Sequence, residues 1–379
     1  MRFAVSLQTL SHLAISLSRA TGNQLRTARH VPGAVWRGAL ASALIREGKL
    51  GDHAHDNPGF SLLFLQQKVR FGDLRPSAAR PWPLSARWCK QHHEQHRLID
   101  LLLADERQKE RPLQCSVSSG DRPCEAKLAQ PEGFYTGGGR NPKPARVVAR
   151  LTAHSAIENG SLRARAAQFF TTEILEPYQQ FNGYLWAEPE AEELIARLSA
   201  KDPQELTLGR GVTRGQGVAT VSISAPSPGS APYDEIRASL QLFSENSPSP
   251  GYLLFTCTLR SPCIVYDRWL CARSWLTAED IAEAAGCDLP GYELRSWFSR
   301  TVSHSGWHSA AQMPKPDATA VAAGSAFLFR KQINEADRER ECDALARTLS
   351  AVSGIGERWA EGMGEVAFCD EFHLHQRCE

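Results

Sequence analysis

Phe3, Val5 and Leu7 alternate with Arg2, Ala4, Ser6 and Gln8, the period of a strand with one buried face. The period then changes. After Pro32-Gly33, the residues Val35, Ala39, Leu40, Ala43 and Leu44 recur at helical spacing as far as Gly48. SLLFLQQKVRF at 61–71 reads as the next strand, and the stretch at about 75–145, rich in Pro, Arg, His and Cys, reads as an insertion. Extended segments resume at 147–153 and 169–186, and PEAEELIARLSA at 189–200 is a helix with Pro and acids in its first turn. A strand entered through LGRGVTRGQGVATVSIS completes a β-α-β-β-α-β unit over residues 1–225.

Residues 226–250 are rich in Pro and Ser and read as a linker. The plan then repeats over 251–379. GYLLFTCTL is a strand, TAEDIAEAAG a short helix, and YELRSWFSRTVS and TAVAAGSAFLFR are strands. A helix at about 335–350 has Asn334 as its cap, with Cys342, Leu345, Ala346 and Leu349 on one face, before GIGERWAEGMG leads into EVAF. The class is α+β, with two β-α-β-β-α-β domains.

Each unit carries a glycine loop, Gly209, Gly211, Gly215 and Gly217 in the first and Gly354, Gly356, Gly362 and Gly364 in the second. Both loops follow a helix and precede a short apolar strand, which points to an internal duplication. Dinucleotide and Walker loops follow a strand and open a helix, so those readings fail. Closely spaced glycines expose main-chain N–H groups, and Arg210, Arg214 and Arg358 add guanidinium groups suited to phosphates. The competing reading is a tight turn in which the glycines serve only the chain reversal.

Composition narrows the classes. The chain has 379 residues, with 43 Lys plus Arg against 42 Asp plus Glu, which is an ordinary globular balance with room for two cores. Its longest apolar runs fall far short of the roughly 20 residues a bilayer span needs. Gln8, Thr9, Ser11 and His12 break any signal-peptide core, so the expected location is the cytoplasm, where the 10 cysteines stay reduced or bind metal.

Several segments together resemble a known family. HVPGAVWRGALASAL and the two glycine loops are similar to elements of the CRISPR-associated RAMP superfamily. LFLQQKVRFGDLRPS, PLSARWCK, HRLIDLLL, EPYQQFNGYLWAE, LGRGVTRGQG, SGWHSAAQMPKPDATAVAAGSAFLFR and GIGERWAEGMGEVAF, in this order, resemble the Csx-ten family of type III-D effector complexes. The resemblance implies two ferredoxin-like (RRM-like) domains and a subunit that caps the repeat-derived 5′ tag of crRNA, beside the large subunit and the first backbone subunit. It makes Arg37, Gly209, Arg210, Gly211, Arg214, Gly215 and Gly217 candidates for RNA contact. The second loop, Gly354, Gly356, Arg358, Gly362 and Gly364, becomes a candidate for holding the domains together. Closely spaced RRM stacking aromatics are absent, so phosphate contact is the expected mode.

In the insertion, Cys89, Cys115 and Cys124 cluster with His92, His93 and His96. Three thiolates and an imidazole satisfy a tetrahedral structural zinc, although the nine-residue gap between Cys115 and Cys124 is wider than usual. The places matched to the resemblance are Cys89, His96, Cys115 and Cys124, and the competing reading is free thiols with solvated histidines.

No catalytic constellation is legible. The alternative function is a RAMP endoribonuclease that processes precursor crRNA with a histidine base, for which His12, His30, His304 and His308 are the histidines near motif elements. A small-molecule enzyme lacks any nucleophile elbow, HExxH or cofactor fingerprint. The expectation is a binding protein rather than an enzyme.

Overall fold

The computed structural model describes residues 1–16, 23–92, 95–104, 114–115, 117–119, 122–157, 160, 164–200, 203–224, 232–246, 251–308 and 311–376. The chain is mixed α+β, and its two largest sheets are antiparallel, each with helices against one face. Strand β1 (Arg2–Thr9) turns Phe3, Val5 and Leu7 inward, as the alternation requires. Helix α1 (Gly33–Glu47) lays Trp36, Ala39, Leu40 and Ala43 against the sheet, and the Trp36 indole N–H donates to the Gly72 carbonyl at 2.8 Å.

Residues 61–71 are not one strand. Pro58–Phe64 is a helix (α2), and only Val69–Phe71 is strand (β2). The Asn57 side chain accepts from the Phe60 amide at 2.9 Å and Pro58 occupies the first turn, so the start signal outweighs the apolar run.

The insertion is longer than expected, because the extended residues from 147 onward first form a long ribbon. Strands β3 (Ala149–Ile157) and β4 (Ala164–Leu175) pair with each other, and only β5 (Gln180–Ala187) enters the main sheet. Helix α3 (Pro189–Ser199) follows. Then β6 (Gln204–Thr207) and β7 (Val218–Ile223) give the sheet order β6-β7-β1-β5-β2.

The expected linker is also corrected. Residues 225–231 and 247–250 lie outside the described residues, but between them Pro232–Glu245 is helix α4. Ile236, Leu240 and Phe243 recur at i, i+4 and i+7, with Asp234 and Glu235 in the first turn, and Leu240 and Phe243 are buried in the second core. The flanking Pro and Ser residues masked this stripe.

The second sheet comprises β8 (Tyr252–Leu259), β9 (Glu293–Phe298), β10 (Ala326–Gln332) and β11 (Val366–Phe368) in the order β9-β10-β8-β11. Helix α5 (Ala278–Ala285) opens with a Thr277–Asp280 capping box. Helix α6 (Arg338–Ala351) follows a 3₁₀ turn at Glu335–Asp337, and its buried residues are Cys342, Leu345, Ala346 and Leu349.

The insertion covers part of the second unit. Leu102 packs with Leu254, Ala326 and Leu328, while Trp82, Ala86 and Tyr135 surround Phe372. A segment too polar for its own core thereby borrows one.

Candidate nucleic-acid interface and metal centre

The first glycine loop closes on the segment just after β1. The amide of Arg210 donates to the Ala14 carbonyl at 2.9 Å, that of Gly217 to His12 at 2.8 Å, and that of Leu208 to Gly217 at 2.8 Å. Gly209 and Gly217 have φ of +71° and +84°. A Cβ at Gly209 would lie 2.3 Å from the Ala14 oxygen, and one at Gly217 would lie 2.0 Å from that of Leu208. Between them Val212–Arg214 forms a 3₁₀ turn flanked by left-handed Gly211 and Gly215. Arg210 and Arg214 are exposed; among the described residues the Arg210 guanidinium donates to the Ser16 hydroxyl at 3.1 Å and neither arginine forms an ion pair.

The second loop repeats this geometry. Glu357 donates to the Ile264 carbonyl at 2.9 Å, Gly364 to Pro262 at 2.8 Å, and Ile355 to Gly364 at 2.9 Å. Left-handed Arg358 and Gly362 flank a 3₁₀ turn at Trp359–Glu361. The structural register therefore pairs Gly209 with Gly356 and Gly217 with Gly364, two positions away from the register suggested by the first glycines of the two loops. In it Arg210 corresponds to Glu357 and Arg214 to Glu361.

The second loop faces the first unit. The buried Arg70 donates to the carbonyls of Ser353, Gly362 (3.3 Å) and Met363 (3.2 Å), with its guanidinium 4.7 Å from the Trp186 ring centre. Burial pushes the Arg70 pKa down to about 10. A Cβ at Gly362 would meet the Phe71 oxygen at 2.3 Å. Glu361 pairs with Lys315, and Arg358 donates to the Pro316 carbonyl at 3.0 Å. Next to the loop, Arg75 bridges the units to Glu365 at 2.8 Å. Burial pushes the Glu365 carboxyl up, but Arg75, Arg260 and Arg70 hold it down to about 2.

Arg37 lies on α1, apart from the first loop's hydrogen bonds. Its guanidinium donates to the Phe64 carbonyl and lies 6.0 Å from the ring centres of Phe64 and Phe71. His30 sits 3.7 Å from Asp73, and burial lowers its pKa against the pull of that carboxylate. His12 meets Glu176 at 3.1 Å, and His308 accepts from the Ala311 amide at 3.1 Å. The pKa of His304 is lowered by burial and by Arg358.

The ribbon adds a surface that periodicity alone did not mark as exposed. Leu151, Phe169 and Phe170 face solvent, the Phe170 ring stacks on His154 at 5.0 Å, and Arg150 pairs with Glu176 at 3.3 Å. Leu13 bridges to Leu175, which brings the ribbon's base beside the segment that holds the first glycine loop.

The Cys/His cluster forms, with one change of membership. Donor atoms of Cys89, His92, His96 and Cys124 all lie within 4.8 Å of one another and could hold a metal ion. Cys115, expected in the set, has its Sγ 3.2 Å from His96 Nδ1, so five donors converge; His93 lies outside the described residues. His92 was legible as the third residue after Cys89. Cys89 and Cys124 sulfurs are 3.9 Å apart and Cys124 is 3.8 Å from His92 Nδ1. A tetrahedron with metal–sulfur bonds of about 2.3 Å has edges of about 3.8 Å, so the donor set fits such an ion. Burial pushes the Cys89 thiol up, yet the amides of His92 and Gln91 and the two imidazoles hold it down to about 6.

No protein-family model matches the chain, and no curated protein does. Among solved structures, a chain of a type III-B Cmr-beta complex bound to cognate target RNA and AMPPnP is similar at 13% identity, with 90% of this chain and 93% of that one covered and a TM-score of 0.44. Thermus thermophilus Cas6 is similar at 10% identity over 97% of this chain and 98% of that one, with a TM-score of 0.39. Cmr4 is similar at 13% identity over 60% of this chain and all of the other, with a TM-score of 0.27.

Proposed function

We propose that this chain is an RNA-binding RAMP subunit of a type III, III-D-like CRISPR effector complex. It caps the repeat-derived 5′ tag of crRNA and contacts the large subunit and the first backbone subunit in the cytoplasm. Its two units are ferredoxin-like domains, and a zinc ion staples the insertion through the Cys/His cluster.

The observation that carries the reading is the divergence of the two glycine loops on one backbone geometry. The second is held against the first unit through Gly362 and Met363, and has an exposed Glu357 and a Lys315-paired Glu361 where the first has Arg210 and Arg214. The first is exposed and presents both arginines. The first arrangement offers a phosphodiester two cations without a carboxylate partner among the described residues, whereas in the second Arg358 stands beside Glu357 and Glu361 is taken up by Lys315. Base pairing or other subunits supply sequence identity, while this surface supplies affinity and register.

The test is binding of a repeat-derived RNA over a range of salt. Replacing Arg210 and Arg214 by Ala should reduce the slope of log K against log salt by about 1.4, the value for two phosphate contacts on a single strand. An unchanged slope removes the first loop from the RNA site.

A further inference from the structure

Between β8 and α5, the chain Tyr266-Asp267-Arg268-Trp269-Leu270-Cys271 forms a rigid projection that neither glycine loop nor metal cluster uses. The Asp267 carboxylate accepts from the amides of Trp269 at 2.8 Å and Cys271 at 2.9 Å. The Asp267 amide donates to the Cys271 carbonyl at 2.9 Å, and Leu270 donates back to Asp267 at 3.0 Å. Tyr266 and Ala272 close the base as a β-bridge. Leu270 is left-handed, with φ of +60°, a conformation unfavourable for a leucine unless its surroundings fix it.

This ordering hides nothing apolar. Trp269 is 72% exposed and Leu270 81%, with Tyr266 and Trp275 exposed at the base. Scattered surface apolar groups need no explanation, but two adjacent large ones on a pre-ordered tip form a patch suited to association. Arg268 stands 5.1 Å from the Trp269 ring centre and has no carboxylate partner among the described residues. One face of the indole is therefore already covered by a cation, and the leucine has no face on which a base can stack. Both features favour a protein pocket over RNA, and Trp with Arg is the composition that dominates protein interfaces.

We infer that the Trp269–Leu270 tip inserts into an apolar pocket of a protein neighbour in the assembly, with an acidic group at the pocket rim meeting Arg268. This rests on the assembly proposed above, and the experiment separates the two. The full chain is combined with repeat-derived RNA and the large and backbone subunits of the effector complex from the same source. Exposed Cys271 at the tip is labelled with a maleimide before and after assembly, and a Trp269→Ser, Leu270→Ser double variant is compared.

Assembly should slow Cys271 labelling about tenfold or more, and the double variant should lose about tenfold or more in assembly affinity. RNA affinity of the isolated variant should equal that of the parent chain. Undiminished labelling together with normal assembly of the variant would overturn the inference. So would a loss of RNA affinity in the variant, which makes the tip a stacking finger, or a homodimer that the variant abolishes. A parent chain that binds RNA but joins neither protein overturns it too. Failure of RNA binding with tip-dependent assembly intact would count only against the RNA-capping function.

Discussion

Gly217→Ala and Gly215→Ala form a pair that separates turn chemistry from ligand chemistry. Both glycines are left-handed, at φ of +84° and +75°. An Ala at either place carries a conformational cost of about 1–2 kcal/mol. At Gly215 nothing lies within 4 Å of the added Cβ, so that cost is the whole effect on stability. At Gly217 the Cβ would sit 2.0 Å from the Leu208 oxygen, an overlap the turn can relieve only by moving apart. Movement breaks the Leu208–Gly217 and Gly217–His12 hydrogen bonds, each worth about 1 kcal/mol net, for a total of about 3–4 kcal/mol. Urea unfolding, read as the change in midpoint at constant slope, measures both variants. RNA titration should rank them differently, because Gly215 lies at the open surface of the loop where a methyl group obstructs a backbone lying against the amides. Equal destabilisation by the two variants would refute the steric account of Gly217, and unaltered RNA affinity in a folded Gly215→Ala protein would refute the proposed approach of RNA to that surface.

Three further outcomes are expected. Glu365, held at about 2, contributes stability that is present above its ordinary value of 4.5 and is lost as pH falls through about 2. The stability gap between parent and Glu365→Gln should therefore narrow by about 3 kcal/mol across that window, and a gap independent of pH contradicts the Arg75 pairing. Protein purified without chelator should contain about one zinc per chain, and Cys89→Ser should release it. Comparing Cys115→Ser with His92→Ala identifies the fourth ligand, while metal-free parent protein excludes the staple. Finally, the chain alone should leave a repeat-containing transcript intact with or without divalent metal; cleavage at one position that disappears in His30→Ala would favour the endoribonuclease instead.

Elements with a clear amphipathic period were legible. β1, α1, α5 and α6 follow from Phe3-Val5-Leu7, from the Leu40 stripe, from the TAEDIAEAAG run and from the Leu345–Leu349 face. α2 was hidden because SLLFL suits a buried strand or a helix equally, and the deciding signal, Asn57-Pro58, lies outside that run. The ribbon was mistaken for core strands because alternation reports extended backbone, whereas burial of Leu151 or Phe169 depends on what covers the face. The glycine loops were recognised as a pair, but their alignment was not legible: Gly211 corresponds to left-handed Arg358, so matching glycine to glycine misaligns the turns. Arg70 could not be identified as a clamp, since its acceptors lie more than 280 residues away.

The two loops also show why one backbone can serve two ends without conflict. Main-chain hydrogen bonds and two glycines fix each turn, so its shape does not depend on the side chains at the positions of Arg210 and Arg214. Those side chains are free to diverge. In the second loop Glu361 finds Lys315 and the carbonyls of Gly362 and Met363 accept from Arg70, whereas Glu357 stays exposed. In the first loop the corresponding arginine, Arg214, has no carboxylate among the described residues and is exposed to water, where a guanidinium keeps its charge. Cohesion thus uses the acid and the buried partner, while the proposed RNA contact uses an arginine left without them. If the first loop binds RNA as proposed, the reversal of charge between matched positions, rather than the presence of glycine, separates that surface from the interface between units.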